Sequence, residues 1–340
     1  MDRRKFLKSG MELGGMALAS PLLRTTTGLW ASTAPAPTTA HVAFVKTSDR
    51  AAGVNHAIDL LGMKKFGGKD IFLKPNFNSA DPPPGSTHSD TLAALIRKLN
   101  AMGAGPLTIG DRSGMGNTRE VMQTKGAFTL AKDLNVKAIV LDELPAENWH
   151  AIQANGMHWQ RGFALPSVLR NAGGVITTCC LKTHRFGGHF TLSLKNSVGL
   201  AAKHVPGDSY NYMSELHSSP DQRLMIAEIN SAYVPELIVL DGVEAFTTGG
   251  PDSGKLVRSN VILAGTDRVA IDAVGVALLR HFGTTPEVSR GAIFEQEQIA
   301  RAVQLGIGIG SPKQIELVTD DHESAEFAKQ IRAILDGSPS

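Results

Sequence analysis

The chain has 340 residues, of which 42% are hydrophobic and 19% charged, with 35 glycines and 17 prolines; that balance excludes a disordered chain and requires a large buried core. Lysine and arginine total 34 against 32 acids, a formal charge of +2, so composition gives no reason to expect a nucleic-acid surface. The two cysteines, Cys179 and Cys180, are adjacent, which excludes a disulfide scaffold, a self-contained cysteine-ligated iron–sulfur cluster and a four-cysteine zinc site.

Residues 2–8 read DRRKFLK and precede a weakly apolar stretch from Met11 to Leu23, then Arg24 and the proline-rich run ASTAPAPTTA. This is the layout of a targeting segment, and the apolar part falls well short of the ~20 residues of a spanning helix. Arg3 and Arg4 followed by Phe6, Leu7 and Lys8 resemble the twin-arginine export signal, and Glu12, Gly14 and Gly15 fit its low greasiness. Residues 1–40 are therefore read as signal and linker, with cleavage between Ala31 and Ala40. The resemblance implies the twin-arginine machinery as partner, a periplasmic or other extracytoplasmic destination, and no stable membrane span once the signal is removed. These residues hold five bases and two acids, so without them the charge falls from +2 to −1.

From His41 onward short apolar runs alternate with longer amphipathic ones. HVAFV, DIFLKPN, PLTIGD, KAIVLDE, GGVITTCCLK, ELIVLDG, SNVILAGT and QIELVTD read as strands; Leu92–Met102, Thr118–Leu134, Leu224–Ala232, Asp267–Phe282 and Glu295–Leu305 read as helices. Alternating elements with doubly buried apolar strands predict an α/β fold, a mostly parallel sheet with helices on both faces, in one large domain over residues 41–340. No repeat or second-domain boundary is visible. Ligands in such sheets bind beyond the carboxyl ends of the strands, and several strands here end in a polar or acidic residue beside glycine.

Three groups of residues could carry chemistry. In the first, Pro75 forces the chain out of the sheet after Lys74 and presents Lys74 and Asn76 at its edge. The following Thr87 and His88 open a helix; a capping box from Thr87 to Asp90 explains Thr87 but leaves His88 free for a site. In the second, Lys182, Thr183, His184, Arg185, His189, Lys195 and Asn196 crowd into one segment with no acid between Lys182 and Lys203. Such a run attracts a carboxylate, a phosphate or an acidic cofactor, with a solvated basic loop as the plain alternative. His204 and His217 follow in a loop long enough to act as a lid. The third group is acidic: Asp111, Asp241, Asp267 and Asp272. Asp267 suits a helix N-cap, whereas Asp272, inside an apolar helix, needs a partner such as a lysine or a hydroxyl. Gly249, Gly250 and Pro251 form a turn that could approach a ligand, and GIGIG at 306–310 reads as a turn. Metal ligands, if any, would come from Asp111, His184, His189, Asp241 and Asp272, although the histidine spacing matches no specific metal motif.

KPN, the Thr-His before a helix, the strand ending in GD, LKTH, LKNSVGL, DG followed by GGP, and TDRVAIDAV resemble, in this order, the family called domain of unknown function 362, over roughly residues 41–310 with a core at about 70–310. Many members carry or accompany ferredoxin-like iron–sulfur modules; this chain has no CxxCxxC run. The combined expectation is an exported enzyme with His88, Lys182, His184 and Lys195 as catalytic groups. Lys74, Asn76, Thr183, Asn196, Gly249 and Gly250 would bind an anionic substrate or cofactor. The rival expectation is a non-catalytic cofactor-binding or maturation protein, or an accessory of a redox partner.

Overall fold

The computed structural model describes residues 38–337, so the expected signal and the last three residues lie outside the described residues. The strands are β1 (Ala40–Lys46), β2 (Ile71–Lys74), β3 (Leu107–Asp111), β4 (Lys137–Val140), β5 (Trp149–Ile152), β6 (Phe163–Pro166), β7 (Gly174–His184), β8 (His189–Thr191), β9 (Leu237–Gly249), β10 (Gly254–Gly265) and β11 (Ile315–Val318). They form a nine-stranded sheet in the order β11-β1-β10-β9-β7-β2-β3-β4, with β8 attached to β7, and a separate β5-β6 hairpin. Pairing is parallel from β9 through β7, β2 and β3 to β4, and again between β1 and β11; β10 is antiparallel to both neighbours. The expected α/β fold is therefore correct, with two antiparallel additions: β10, where the β9–β10 hairpin enters the sheet, and β8, which folds back on β7.

Alternation along each strand sends side chains to two cores. Ile71, Leu73, Ile176 and Val239 face the helices Arg50–Leu60 and Ser89–Ala101 on one side. Phe72 and Val175, with Phe44, Leu181 and Leu240 further along the sheet, face the other side. There the helices Arg268–His281, Glu297–Gln304 and His322–Leu335 cover one half and the β5-β6 hairpin the other. Each large side chain fully buried in this way contributes about 1.5–3 kcal/mol of transfer free energy. Among the described residues no helix is long and apolar enough to cross a membrane.

Some expected elements change. The helix expected over Thr118–Leu134 is two, Thr118–Thr124 and Ala127–Asp133, because Gly126 at φ 70° takes the left-handed conformation between them. The helices Arg50–Leu60 and His322–Leu335, both capped by an aspartate, were not expected, nor was the β5-β6 hairpin. Asp267 caps its helix as expected, accepting from the Ala270 amide. It also accepts from Ile309 in the GIGIG turn, where Gly308 at φ 73° lies too close to Asp267 for any Cβ.

Candidate functional site

The chain runs outward from β2 to β3 and β4, then returns to place β7 on the other side of β2. That reversal leaves a crevice beyond the carboxyl ends of β2 and β7, where open α/β sheets take their ligands. A pocket of about 390 Å³ lies there. Its lining draws Lys74 and Asn76 from the end of β2, Asp111 and Arg112 from the end of β3, and His184 from the end of β7. The short helix Ser193–Asn196 adds Lys195 and Asn196, and the segment 203–217 adds Lys203, Ser214 and His217. Four lysine and arginine side chains and two histidines thus share this lining with a single carboxylate, that of Asp111.

That carboxylate is already committed. Lys74 Nζ lies 2.7 Å from Asp111 Oδ1 and donates to the Pro75 carbonyl at 2.6 Å and to Asn196 Oδ1 at 3.1 Å. Three acceptors use all three ammonium N–H groups. Asp111 also accepts from the amides of Phe77 and Arg112. Burial pulls Lys74 down and pushes Asp111 up from their ordinary values, each opposed by the other's charge. Gly199 explains the glycine of LKNSVGL: a Cβ there would sit 2.7 Å from both Asp111 Oδ1 and Lys74 Nζ. Asn196 completes the unit, donating to the Thr178 carbonyl while its oxygen faces Lys74 and the Asn76 amide.

The opposite wall is differently made. Lys195 is 7% exposed and has neither a carboxylate nor a hydrogen-bond acceptor among the described residues. Burial, with Lys182 and Arg112 nearby, lowers it to about 7. His184 is buried too; desolvation and then the charges of Lys195 and Lys182 hold it well below its usual range, so it is a neutral imidazole at physiological pH. Its Nδ1 has no partner, as is true of Asn76 Oδ1, Asn78 Nδ2 and Thr191 Oγ1 in the same lining. Buried polar atoms are ordinarily paired, so four unpaired ones in one pocket mark a place for a polar ligand. His217 Nδ1 donates to the Met213 carbonyl, and burial lowers the pKa of the ring.

Several expected site residues serve the framework instead. His88 is the helix N-cap, accepting from the Asp90 amide at 3.0 Å, and does not line the pocket. Thr87, expected to be the cap, accepts from the Asn76 amide, one residue earlier than a cap can act. Lys182 is fully buried behind the pocket and donates to the Gly85 carbonyl, so it contributes its charge but not its ammonium. Thr183 donates to the Phe246 and Gly249 carbonyls. Gly250 approaches the protein itself, since a Cβ there would meet the Thr183 carbonyl oxygen at 1.9 Å; Gly249 turns the β9–β10 hairpin, and only Pro251 of this turn lines the pocket.

The metal candidates do not converge. Asp241 accepts from Arg50 and Thr91, and Asp272 accepts from the backbone amides of Ser193 and Leu194 rather than from the expected lysine or hydroxyl. Burial pushes Asp272 up to about 8, and its bonds fix the helix that carries Lys195 and Asn196. His189 opens β8 at φ 57°, opposite His184 in the β7–β8 register. Among the described residues no three His, Cys, Asp or Glu side chains are grouped to hold a metal. Sequence reasoning missed Arg112, Asn78, Thr191 and Lys203 as lining residues. Arg112 had one legible signal, its position directly after the strand-end aspartate; it donates to the Ala201 and Ser113 carbonyls and to that of Val198.

The fold and site together define a mixed-sheet α/β protein with a cation-lined pocket at its topological switch point. The chain belongs to the family described as Domain of unknown function (DUF362), which it matches over residues 71–277. A thylakoid-associated protein of Synechocystis sp. is 25% identical over 272 residues, covering 78% of each chain. Among solved structures, the lactate racemase apoprotein of Thermoanaerobacterium thermosaccharolyticum aligns with TM-score 0.44 and 16% identity, over 71% of this chain and 57% of that one.

Proposed function

We propose that the chain is an exported enzyme whose switch-point pocket binds an anionic small molecule, with Lys195 holding the anion and His184 moving a proton. The observation that carries this reading is Lys195 itself. It is an amine on a largely buried side chain that opens into the pocket without a counter-ion among the described residues, beside an imidazole whose Nδ1 is unpaired. A protein has no structural reason to bury a cation unpaired, because the desolvation goes uncompensated. An oxyanion would supply the missing charge, and the Lys74–Asp111–Asn196 unit would floor the site.

Calorimetric titration of the purified chain with phosphate and with malonate tests the reading. Saturable, stoichiometric binding is expected for at least one, and its absence in the double variant His184→Ala/Lys195→Met. Equal binding by wild type and variant would remove the assignment. Molecules released on denaturation, identified by mass spectrometry, separate catalysis from carriage: a compound converted on re-addition supports an enzyme, one returned unchanged a carrier.

Export by the twin-arginine route rests on Arg3, Arg4 and the weakly apolar stretch behind them. Residues 1–40 fused to a reporter that must fold before export are expected to carry it out of the cytoplasm, and Arg3→Lys/Arg4→Lys to trap it there. Export undiminished by the double substitution would exclude this route.

A further inference from the structure

The pocket region contains three buried lysines, and only one of them is chemically free. Lys74 spends its N–H groups on Asp111, Pro75 and Asn196, and Lys182 is bound to the Gly85 carbonyl. Lys195 has no such partner among the described residues and opens into the pocket. Its stem is confined: a Cβ on Gly188 would lie 2.5 Å from Lys195 Cε and 3.1 Å from His184 Nδ1, so the amine stem and the imidazole share one small space that only glycine leaves open.

We propose that Lys195 is a covalent nucleophile that forms an imine with an anionic aldehyde or ketone, such as a 2-oxo acid. This deepens the anion-binding reading and rests on it: with a pKa of about 7 both forms of Lys195 are present near neutrality, the ammonium holding an anion without a carbonyl and the amine attacking one that has it. A lysine surrounded by other cations and withdrawn from water is the arrangement that yields a free amine near neutrality, and here Lys182 and Arg112 are those cations. In the step itself the Nζ lone pair adds to the carbonyl carbon, and the unpaired Nδ1 of His184 carries one proton from that nitrogen to the carbonyl oxygen, giving a hydroxyl. Nδ1 then carries the second nitrogen proton to the hydroxyl, which leaves as water while the nitrogen lone pair closes the C=N bond. A C=N bond replaces the C=O bond, both nitrogen protons depart in the water, and nothing is oxidised or reduced. The substrate's own charge is drawn by Arg112 and by Lys203 at the mouth.

Glyoxylate with cyanoborohydride, at about pH 7, provides the test, because the imine is reduced to a stable secondary amine that peptide mapping locates. Lys195 of the unsubstituted chain is expected to be labelled roughly tenfold faster than surface lysines, since a pKa of about 7 leaves about half of it as free amine at that pH while surface lysines are almost wholly protonated. Acetaldehyde, which lacks the charge, should label it more slowly, and Lys195→Arg should abolish the fast phase. Mapping on the unsubstituted chain does not depend on how the variant folds. Labelling spread over surface lysines without Lys195 overturns the inference. Calorimetric binding of glyoxylate without labelling overturns it while leaving the anion site intact; no binding of glyoxylate, phosphate or malonate removes both.

Discussion

Replacing Asp111 by alanine is expected to cost about 3–5 kcal/mol of folding stability, the range for stranding one member of a buried ion pair. Asp111 does three things at once: it neutralises Lys74, accepts from the Phe77 amide and accepts from the Arg112 amide. Without it a buried ammonium keeps two neutral acceptors but no counter-charge, and two amides lose their partner. Urea midpoints at unchanged m-value measure the loss. The double variant Lys74→Met/Asp111→Leu should recover a large part of it, because removing both charges removes the uncompensated desolvation. A loss below about 1 kcal/mol for Asp111→Ala would mean that the pair is not the buried anchor described.

The second large effect concerns ligand affinity. Lys195→Met should weaken binding of phosphate or malonate roughly 10- to 150-fold, the equivalent of about 1.5–3 kcal/mol for a charge-assisted hydrogen bond. Only the ammonium form attracts an anion, and burial places its pKa at about 7. Affinity is therefore full below that value and falls up to tenfold per pH unit as pH rises through it, with one proton taken up on binding. In Lys195→Met this component vanishes, whereas His184, His217 and Arg112 still line the site and Lys182 still lies behind it. The sign for stability is opposite. A lysine with a depressed folded pKa leaves the unfolded chain holding more protons between about 7 and its ordinary value, so its contribution to stability improves as pH rises across that window. Titrations at several pH values, with and without ligand, check both signs, and a pH-independent affinity would dismiss Lys195 as the anion's partner.

Much of this site was legible from residue type and spacing. Lys74, Asn76, Asp111, His184, Lys195 and Asn196 were all expected at strand ends, and all line one pocket. Pro75 ends β2 where it must, and the absence of acids from 182 to 203 reflects a segment wrapped around a cation-rich cavity. What misled the reading was the assumption that every polar residue near a strand end faces a ligand. His88 and Thr183 are consumed by backbone groups of their own neighbourhood. Asp241 is consumed by Arg50, a residue almost two hundred positions away in a helix that its weak amphipathic pattern concealed.

The sequence by itself determined the alternation of strands and helices, the doubly buried sheet and the strand ends where charge collects, because these follow from local periodicity and from where proline and glycine interrupt it. Only the tertiary structure decided which lysine is free. Lys74, Lys182 and Lys195 are indistinguishable as letters in apolar surroundings. Whether each meets Asp111, the Gly85 carbonyl or no acceptor depends on strand order and on loops folding back from elsewhere in the chain. A side chain's chemistry is set by its partners, and those partners are brought to it by long-range packing that no local pattern encodes.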